Sequence, residues 1–281
     1  MRRRSFGLLG IVAFGYAFLY VPILSVMIYS FNDSRLVTLW GGFSLRWYAH
    51  LLEDEEVLEA ALLSLRIAAV SATIATSLGA LVALAMQRLT RLRGRLLLAG
   101  MITAPLVMPE IITGLSLLFL FISMAEWIGW PATRGATTIT IAHVTFSMAY
   151  VAVVVRSRLA GMDESLEEAA MDLGGRPLAV FFDITVPMLL PALVSGWLLA
   201  FTLSLDDLVI SSFVSGPGAT TLPMLIFAKV RLGVTPDINA IATIIIALVA
   251  IGVITAALIA RQREAGARSA RAERERSWAP T

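Results

Sequence analysis

Long apolar segments recur along this chain, and they restrict its possible folds more than any other feature. A membrane-spanning helix needs about 20 predominantly apolar residues. Segments of suitable length are residues 6–31, 58–86, 96–123, 137–155, 188–213 and 238–260. Only 15% of the residues are charged, compared with about 25% in soluble domains. The sequence therefore predicts an all-α, polytopic membrane protein with six transmembrane helices.

The arginines predict the orientation of these spans. With the N-terminus in the cytoplasm, the inner segments contain the arginine-rich stretches 2–4, 88–95, 156–176 and 261–276. The outer segments contain far fewer basic residues, so the positive-inside rule places both termini in the cytoplasm. We expect one transmembrane domain over residues 1–260. The tail over 261–281 alternates Arg, Glu and Ala without an apolar period, which predicts a disordered cytoplasmic segment.

Composition excludes several classes of site. The chain has no cysteine and two histidines, so disulfides, thiol catalysis and a metal cluster are not expected. Gly216-Pro217-Gly218 lacks the Gly-Lys-Ser/Thr of a phosphate-binding loop and indicates a turn instead. His143 is expected to be a hydrogen-bonded packing residue. We therefore predict a chain that is not an enzyme and that binds no metal, cofactor or nucleic acid.

The loop over residues 157–187 has helical periodicity although it lies between two spans. One face would be apolar or small, and its residues are Leu166, Ala169, Ala170 and Leu173. The acids recur every fourth residue at Glu164, Glu168 and Asp172. Gly174-Gly175 would end this helix and Pro177 would prevent its continuation. The pattern predicts a short amphipathic helix, which packs either on its own protein or on a partner.

The spacing within this loop resembles a known signature. Glu168-Ala169-Ala170 is followed after three residues by Gly174, after nine more by Ile184, and then by Val186-Pro187. This arrangement resembles the EAA loop of ABC-importer permeases, with Val186 in place of the more usual leucine. The resemblance implies that the loop docks on a cytoplasmic ATPase through Glu168, Ala169, Ala170, Gly174 and Pro187.

Three further segments extend the resemblance. Residues 101–118 are MITAPLVMPEIITGLSLL, residues 142–153 are AHVTFSMAYVAV, and residues 203–224 are LSLDDLVISSFVSGPGATTLPM. They resemble the permeases of polyamine (spermidine/putrescine) ABC importers, and most strongly the second permease of putrescine systems. The resemblance implies a type I importer transmembrane domain in the bacterial inner membrane. It also implies a second homologous permease, two ATPase copies carrying ATP and Mg²⁺, and a periplasmic polyamine-binding protein.

The expected function is half of a translocation pore for a polyamine, with putrescine favoured. One alternative keeps this machine but transports spermidine or another small organic solute. A second alternative is an ion-coupled secondary transporter, in which acids within the membrane bind the coupling ion. An intramembrane enzyme is a third, but no constellation of catalytic residues supports it.

Polyamines are cations, so their pathway should offer carboxylates and aromatic faces. The acids within the predicted spans are Glu110, Asp206 and Asp207. Each costs about 2.5–3.5 kcal/mol at a helix centre, and such acids usually face a wet interior. On continuous helices, Glu110 and Asp207 would lie about 21 and 24 Å above the inner ends of their spans. These acids would then share one level in the outer half of the membrane.

The fifth predicted span also has a polar and aromatic stripe at helical spacing. The stripe comprises Trp197, Ala200, Ser204, Asp207 and Ser211. We expect it to face the pore, with Asp207 on the substrate pathway and Asp206, about 100° away around the helix, in a structural pair. Glu110 has two possible roles, in the pathway or in bonding backbone groups freed by Pro105 and Pro109.

Overall fold

The regular secondary structure is helical throughout the described part of the chain. The computed structural model describes residues 2–35, 39–88, 94–163, 165–233 and 236–251, without the side chains of residues 2–6 and 8. Within these ranges, pairing of the β type is limited to an isolated bridge between Asn32 and Phe43. The predicted all-α class is confirmed.

Except between the first two, the described helices follow one another with connections of at most seven residues. In chain order they are α1 (Arg2–Tyr29), α2 (Arg46–Glu53), α3 (Glu55–Arg88), α4 (Arg95–Val107), α5 (Glu110–Ile128), α6 (Ala136–Leu159), α7 (Ser165–Asp172), α8 (Pro177–Val180), α9 (Val186–Leu205), α10 (Val209–Val214), α11 (Leu222–Leu232) and α12 (Pro236–Ile251). A π-helical turn, Phe181–Thr185, joins α8 to α9.

Five helices in the described ranges are long and apolar enough to cross a membrane. They are Leu9–Tyr29, Glu55–Arg88, Glu110–Ile128, Ala136–Leu159 and Pro177–Leu205. The sixth predicted span is described only as far as Ile251, where α12 is apolar but shorter. The count of six spans, the cytoplasmic termini and the disordered tail over 261–281 therefore stay predictions.

The third predicted span, 96–123, is not one helix. The segment α4 ends at Val107, Met108 adopts an extended backbone with ψ 137°, and α5 begins at Glu110. A residue that precedes proline disfavours the α conformation, and Met108 precedes Pro109. Pro105, by contrast, lies inside α4. The expectation of a continuous, kinked helix was wrong, and so was the depth estimate for Glu110 that assumed it.

The fifth span begins earlier and ends earlier than the predicted 188–213. Helix is continuous from Pro177 to Leu205, and the Val186 amide bonds the Phe181 carbonyl across the π-helical turn. Pro187 is the second residue after this turn and has no N–H of its own, which accounts for a local change in the bonding register. The chain then leaves the helix at Asp206 and resumes it in α10.

The residues Glu55–Ala228 form one compact unit whose core is built by α3, α6 and α9. Their close approach depends on glycine. A Cβ at Gly79 would lie 2.9 Å from the Met148 carbonyl oxygen and from the Val151 Cβ, and a Cβ at Gly196 would lie 3.2 Å from a Val151 methyl. Val151 therefore occupies the crossing of all three helices, as small residues permit in membrane bundles.

The second compact unit comprises Met1–Asp54 with Lys229–Thr281. The buried Asn32 organises its first loop, because its side chain accepts the Gly41 amide at 2.7 Å and donates to the Leu39 carbonyl at 2.7 Å. Lys229 Nζ lies 3.0 Å from an Asp54 carboxylate oxygen. Within this chain, none of the apolar window of α1 is buried.

Candidate functional site

The loop with the Glu-Ala-Ala signature forms the predicted short helix, α7. The Asp163 side chain accepts the Ser165 amide at 3.0 Å, which satisfies a free donor at the start of the helix. That bond lowers the pKa of Asp163 below its ordinary value. The cap is therefore fully present above the ordinary pKa of aspartate, and it is lost as the pH falls through the lowered value.

Glycine ends α7 as the sequence predicts. Gly174 has φ +91° and its amide bonds the Met171 carbonyl at 2.9 Å, while the Gly175 amide bonds the Ala170 carbonyl at 3.0 Å. These two bonds form a Schellman motif, which satisfies carbonyls left free at the helix end. Pro177 then opens α8. The predicted short helix and its termination are confirmed.

Most of the predicted coupling segment, residues 165–187, is exposed in this chain, although Val180 and Thr185 are buried. No residue of α7 is buried; Glu168 and Ala169 are exposed and Ala170 is half-buried. Large apolar side chains are also exposed along the segment, namely Leu166, Met171, Leu173, Leu178 and Phe182. Leu178 and Phe182 belong to the fifth span, whereas Leu166, Met171 and Leu173 lie on or directly after α7, where exposed apolar side chains are typical of an interaction site. The docking roles of Glu168, Ala169, Ala170, Gly174 and Pro187 stay predictions.

Glu167 is the acid of α7 that contacts the rest of the chain, and sequence reasoning missed it. Arg88 Nη2 donates to both of its carboxylate oxygens, at 2.6 Å for Oε2, and Thr185 Oγ1 donates to Oε1 at 2.6 Å. Arg88 and Glu167 lie 79 residues apart in the sequence, and no local pattern pairs them. The acids that recur every fourth residue include Glu168 but not Glu167, so the sequence pattern selected Glu168. Glu164, another acid of that series, lies outside the described residues.

Glu110 lies at the break in the third span. It is exposed and stands in the first turn of α5, where the helix dipole favours a negative charge. The Pro109 carbonyl accepts the Ile112 and Thr113 amides at 3.0 and 3.1 Å, so the hydrogen bonds of α5 begin directly after the break. Glu110 is therefore presented at an interruption of the span rather than midway along a continuous helix.

The polar stripe of α9 does not face outward in this chain. Ala200, Ser204 and Ser211 are buried, and Trp197 is half-buried with its Nε1 bonded to Thr73 Oγ1 at 3.1 Å. The stripe packs on α3 and α6, so the predicted orientation was wrong. Hydroxyls at helical spacing serve equally well as hydrogen-bonding groups between packed helices, and the sequence pattern alone does not separate the two cases.

His143 is the centre of this buried polar cluster. Its side chain is 2% exposed; Nδ1 lies 2.6 Å from Ser204 Oγ, and Nε2 lies 3.1 Å from both Asp207 Oδ2 and Ser211 Oγ. Ser71 Oγ of α3 donates to Ser204 Oγ at 3.0 Å. An imidazole with its proton on Nε2 donates to Asp207 Oδ2 and Ser211 Oγ, while its Nδ1 accepts from the Ser204 hydroxyl. The predicted packing role of His143 is confirmed, and it joins α3, α6 and α9.

Asp207 takes the structural role that we assigned to Asp206. Besides His143, its carboxylate accepts the Ser211 amide and hydroxyl at 2.7 Å each and the Ile210 amide at 3.2 Å. These bonds hold the first turn of α10. Asp206 is exposed at the end of α9. The structural pair predicted for Asp206 was therefore wrong, whereas the acid that meets the substrate stays a prediction.

The two interrupted spans are neighbours. A Cβ at Gly114 of α5 would lie 2.8 Å from the Phe213 ring and 3.3 Å from the Ile210 Cα, both in α10. Glu110 begins α5, one turn before Gly114, and Asp206 precedes α10. Interrupted helices within membranes present polar groups and free backbone to a cavity. The arrangement suits a polar pathway lined by carboxylates.

Residues 75–265 match the sequence family described as the inner membrane component of binding-protein-dependent transport systems. The chain belongs to this family. The permease is 62% identical over 252 residues to the putrescine transport system permease protein PotI of Escherichia coli (strain K12), covering 89% of this chain and 90% of that protein. It is 41% identical over 251 residues to the spermidine/putrescine transport system permease protein PotC of the same strain, covering 89% and 92% of the two chains.

A solved structure has the same fold at low identity. The permease superposes with a TM-score of 0.70 on a chain of a bacterial ABC transporter involved in the import of the acidic polysaccharide alginate, at 16% identity and covering 92% of this chain and 94% of that one. This likeness shows that the two chains share a fold, and the family match places the permease in the inner membrane. The sequence-based expectations of family, fold and location are confirmed.

Proposed function

We propose that the permease forms half of the pore of an ATP-driven importer for putrescine. The observation that carries the proposal is the 62% identity to PotI over 89% of the chain. Membership of a binding-protein-dependent family gives no support to an ion-coupled secondary transporter or to an intramembrane enzyme. Transport of spermidine is the second candidate, because PotC is 41% identical over a similar length.

The proposed assembly contains a second homologous permease, two copies of a cytoplasmic ATPase and a periplasmic polyamine-binding protein. The open coupling segment supports an inner partner, since its apolar side chains are exposed on a helix that no core of this chain covers. ATP and Mg²⁺ belong to the ATPase in this proposal, and the permease itself binds no cofactor.

Within the pore, we assign the substrate pathway to Glu110 and Asp206. Both are exposed at interruptions of their spans, whereas the Asp207 carboxylate is 8% exposed and fully engaged. A diamine carries two ammonium groups, each of which gains a charge-assisted hydrogen bond from a carboxylate. Asp206→Asn is therefore expected to raise the concentration of putrescine needed for half-maximal uptake. In this proposal, helix-packing residues behind the pathway stabilise the helices that form it, and these residues are Trp197, Ser204 and Ser211.

The test is uptake of labelled putrescine in cells that carry the full set of transporter genes, with and without the gene for this permease. Loss of uptake on deletion, restored by the wild-type gene and weakly inhibited by excess spermidine, is the expected result for a putrescine importer. Strong inhibition by spermidine would favour the second candidate. Uptake that is unchanged by the deletion would refute both cargo assignments.

The ATPase partner is tested separately by purification of the tagged permease in mild detergent. Recovery of an ATPase subunit in stoichiometric amount is expected, and its loss on Glu168→Lys would support docking through α7. A permease that imports putrescine without any associated ATPase would contradict the proposed assembly.

A further inference from the structure

Glu167 differs from the rest of α7 in being held by the remainder of the chain. Its side chain is 16% exposed, while no residue of the helix is buried. The carboxylate receives both the Arg88 guanidinium and the Thr185 hydroxyl, so both of its oxygens are engaged. A single guanidinium nitrogen, Arg88 Nη2, donates to both oxygens, and the Thr185 hydroxyl adds a second donor, so two residues hold the carboxylate.

The partners of Glu167 stand at the inner ends of two transmembrane helices. Arg88 is the last residue of α3, and Thr185 is the fully buried last residue of the π-helical turn that leads into α9. Farther along, α3 and α9 contact each other directly, and Ser71 bonds Ser204 between them at 3.0 Å. One side chain of α7 thus contacts the ends of both helices at once.

This connection matters because apolar packing does not hold α7 in place. A helix without buried residues loses little free energy when it shifts, so it could move without carrying the spans with it. The Arg88 and Thr185 contacts remove that freedom, since a shift of α7 either breaks them or displaces the inner ends of α3 and α9.

We propose that Glu167 is the positioning residue that passes movements of α7 to α3 and α9. The inference rests on the proposed function, in which an ATPase docks on the coupling segment. Glu168 then faces the partner and Glu167 faces the permease, so two adjacent acids have separate tasks. The competing possibility is a surface ion pair of little consequence, because Arg88 is 42% exposed and such pairs often contribute nothing measurable.

The test uses the complete importer reconstituted in proteoliposomes, with ATP hydrolysis and putrescine uptake measured on the same preparation. Glu167→Gln keeps the size of the side chain and removes its charge. We expect retained ATPase association and hydrolysis, with uptake lowered about tenfold, within the usual range for a coupling between two sites. Glu126→Gln, which makes the same change at an exposed acid of α5 outside the coupling segment, is the matched control and should leave uptake unchanged.

Double variants identify the connection itself. Arg88→Gln should lower uptake as Glu167→Gln does, and the two together should be no worse than either alone, because residues that act through one contact are not additive. Exchange of the charges, with Arg88→Glu and Glu167→Arg in one chain, should restore part of the uptake. Thr185→Val should give an intermediate loss.

Three results would overturn the proposal. They are normal uptake in Glu167→Gln, additive losses in the double variant, and loss of ATPase association together with uptake, which would place Glu167 in docking instead. A wild-type importer that fails to bind an ATPase or to take up putrescine would instead refute the proposed function, so the two failures are distinguishable.

Discussion

Replacement of Asp207 by alanine is expected to destabilise the permease much more than the same replacement of its neighbour Asp206. The Asp207 carboxylate accepts the Ser211 amide and hydroxyl, the Ile210 amide and His143 Nε2, at distances of 2.7 to 3.2 Å. Asp206 is exposed at the end of α9. Two adjacent residues of one type therefore provide a matched comparison.

The expected magnitude follows from the donors that Asp207→Ala leaves unpaired. Ser211 is 0% exposed, so its amide and hydroxyl gain no water in exchange, whereas His143 Nε2 keeps Ser211 Oγ as a partner at 3.1 Å. A buried polar group without a partner costs about 1–3 kcal/mol, whereas side-chain hydrogen bonds in membrane proteins average about 0.6 kcal/mol. The Ser211 amide and hydroxyl are two such donors, so the two figures bracket a loss of about 1–6 kcal/mol. Substitution of an exposed residue usually changes stability by less than about 0.5 kcal/mol, which is the expectation for Asp206→Ala.

Thermal unfolding of the purified permease in detergent measures this difference. For a chain of this size, a change of 1 kcal/mol in the free energy of unfolding shifts the unfolding midpoint by about 2–4 °C. Asp207→Asn is the intermediate case, because its amide oxygen still accepts from Ser211. Equal midpoints for Asp206→Ala and Asp207→Ala, or a lower midpoint for Asp206→Ala, would show that the His143 cluster does not hold α10.

The remaining predictions concern the coupling segment and the helix crossing. Glu168→Lys should abolish uptake and leave the amount of permease in the membrane fraction unchanged; normal uptake would contradict docking through this residue. Gly174→Val should impair ATPase recovery, because a β-branched residue at positive φ costs about 1–3 kcal/mol; undiminished recovery would count against it. Gly79→Val should lower the free energy of unfolding by about 1–3 kcal/mol, because the larger side chain overpacks against Met148. Thermal unfolding measures this loss, and Gly100→Val is the control, because a Cβ at Gly100 meets nothing within 4 Å.

Local signals in the sequence were sufficient for much of the architecture. Apolar length located the long helices, and the glycine pair located the end of α7, because both depend on residues close in the chain. The resemblance found through the Glu-Ala-Ala spacing led to the correct family. The break at Met108 was partly visible in Pro109, but a proline in a span is compatible with either a kink or an interruption.

The candidate site was harder to predict because it depends on contacts between distant segments. The stripe through Ser204 and Asp207 has the same spacing whether it lines a pore or a helix interface, and only the positions of Ser71 and His143 decide between them. The pairing of Glu167 with Arg88 likewise has no local signature. Long-range partners of polar residues require the folded chain.

The crossing at Val151 has a mechanical consequence for α3. A Cβ at Gly79 would lie 2.9 Å from the Met148 carbonyl oxygen, so we expect a tilt of α3 to turn about this tight contact. Gly79 stands near the inner end of the helix, about 14 Å from Arg88 and about 36 Å from Glu55 at a rise of about 1.5 Å per residue. A rigid tilt of α3 about Gly79 would therefore move Glu55 about 2.7 times as far as Arg88.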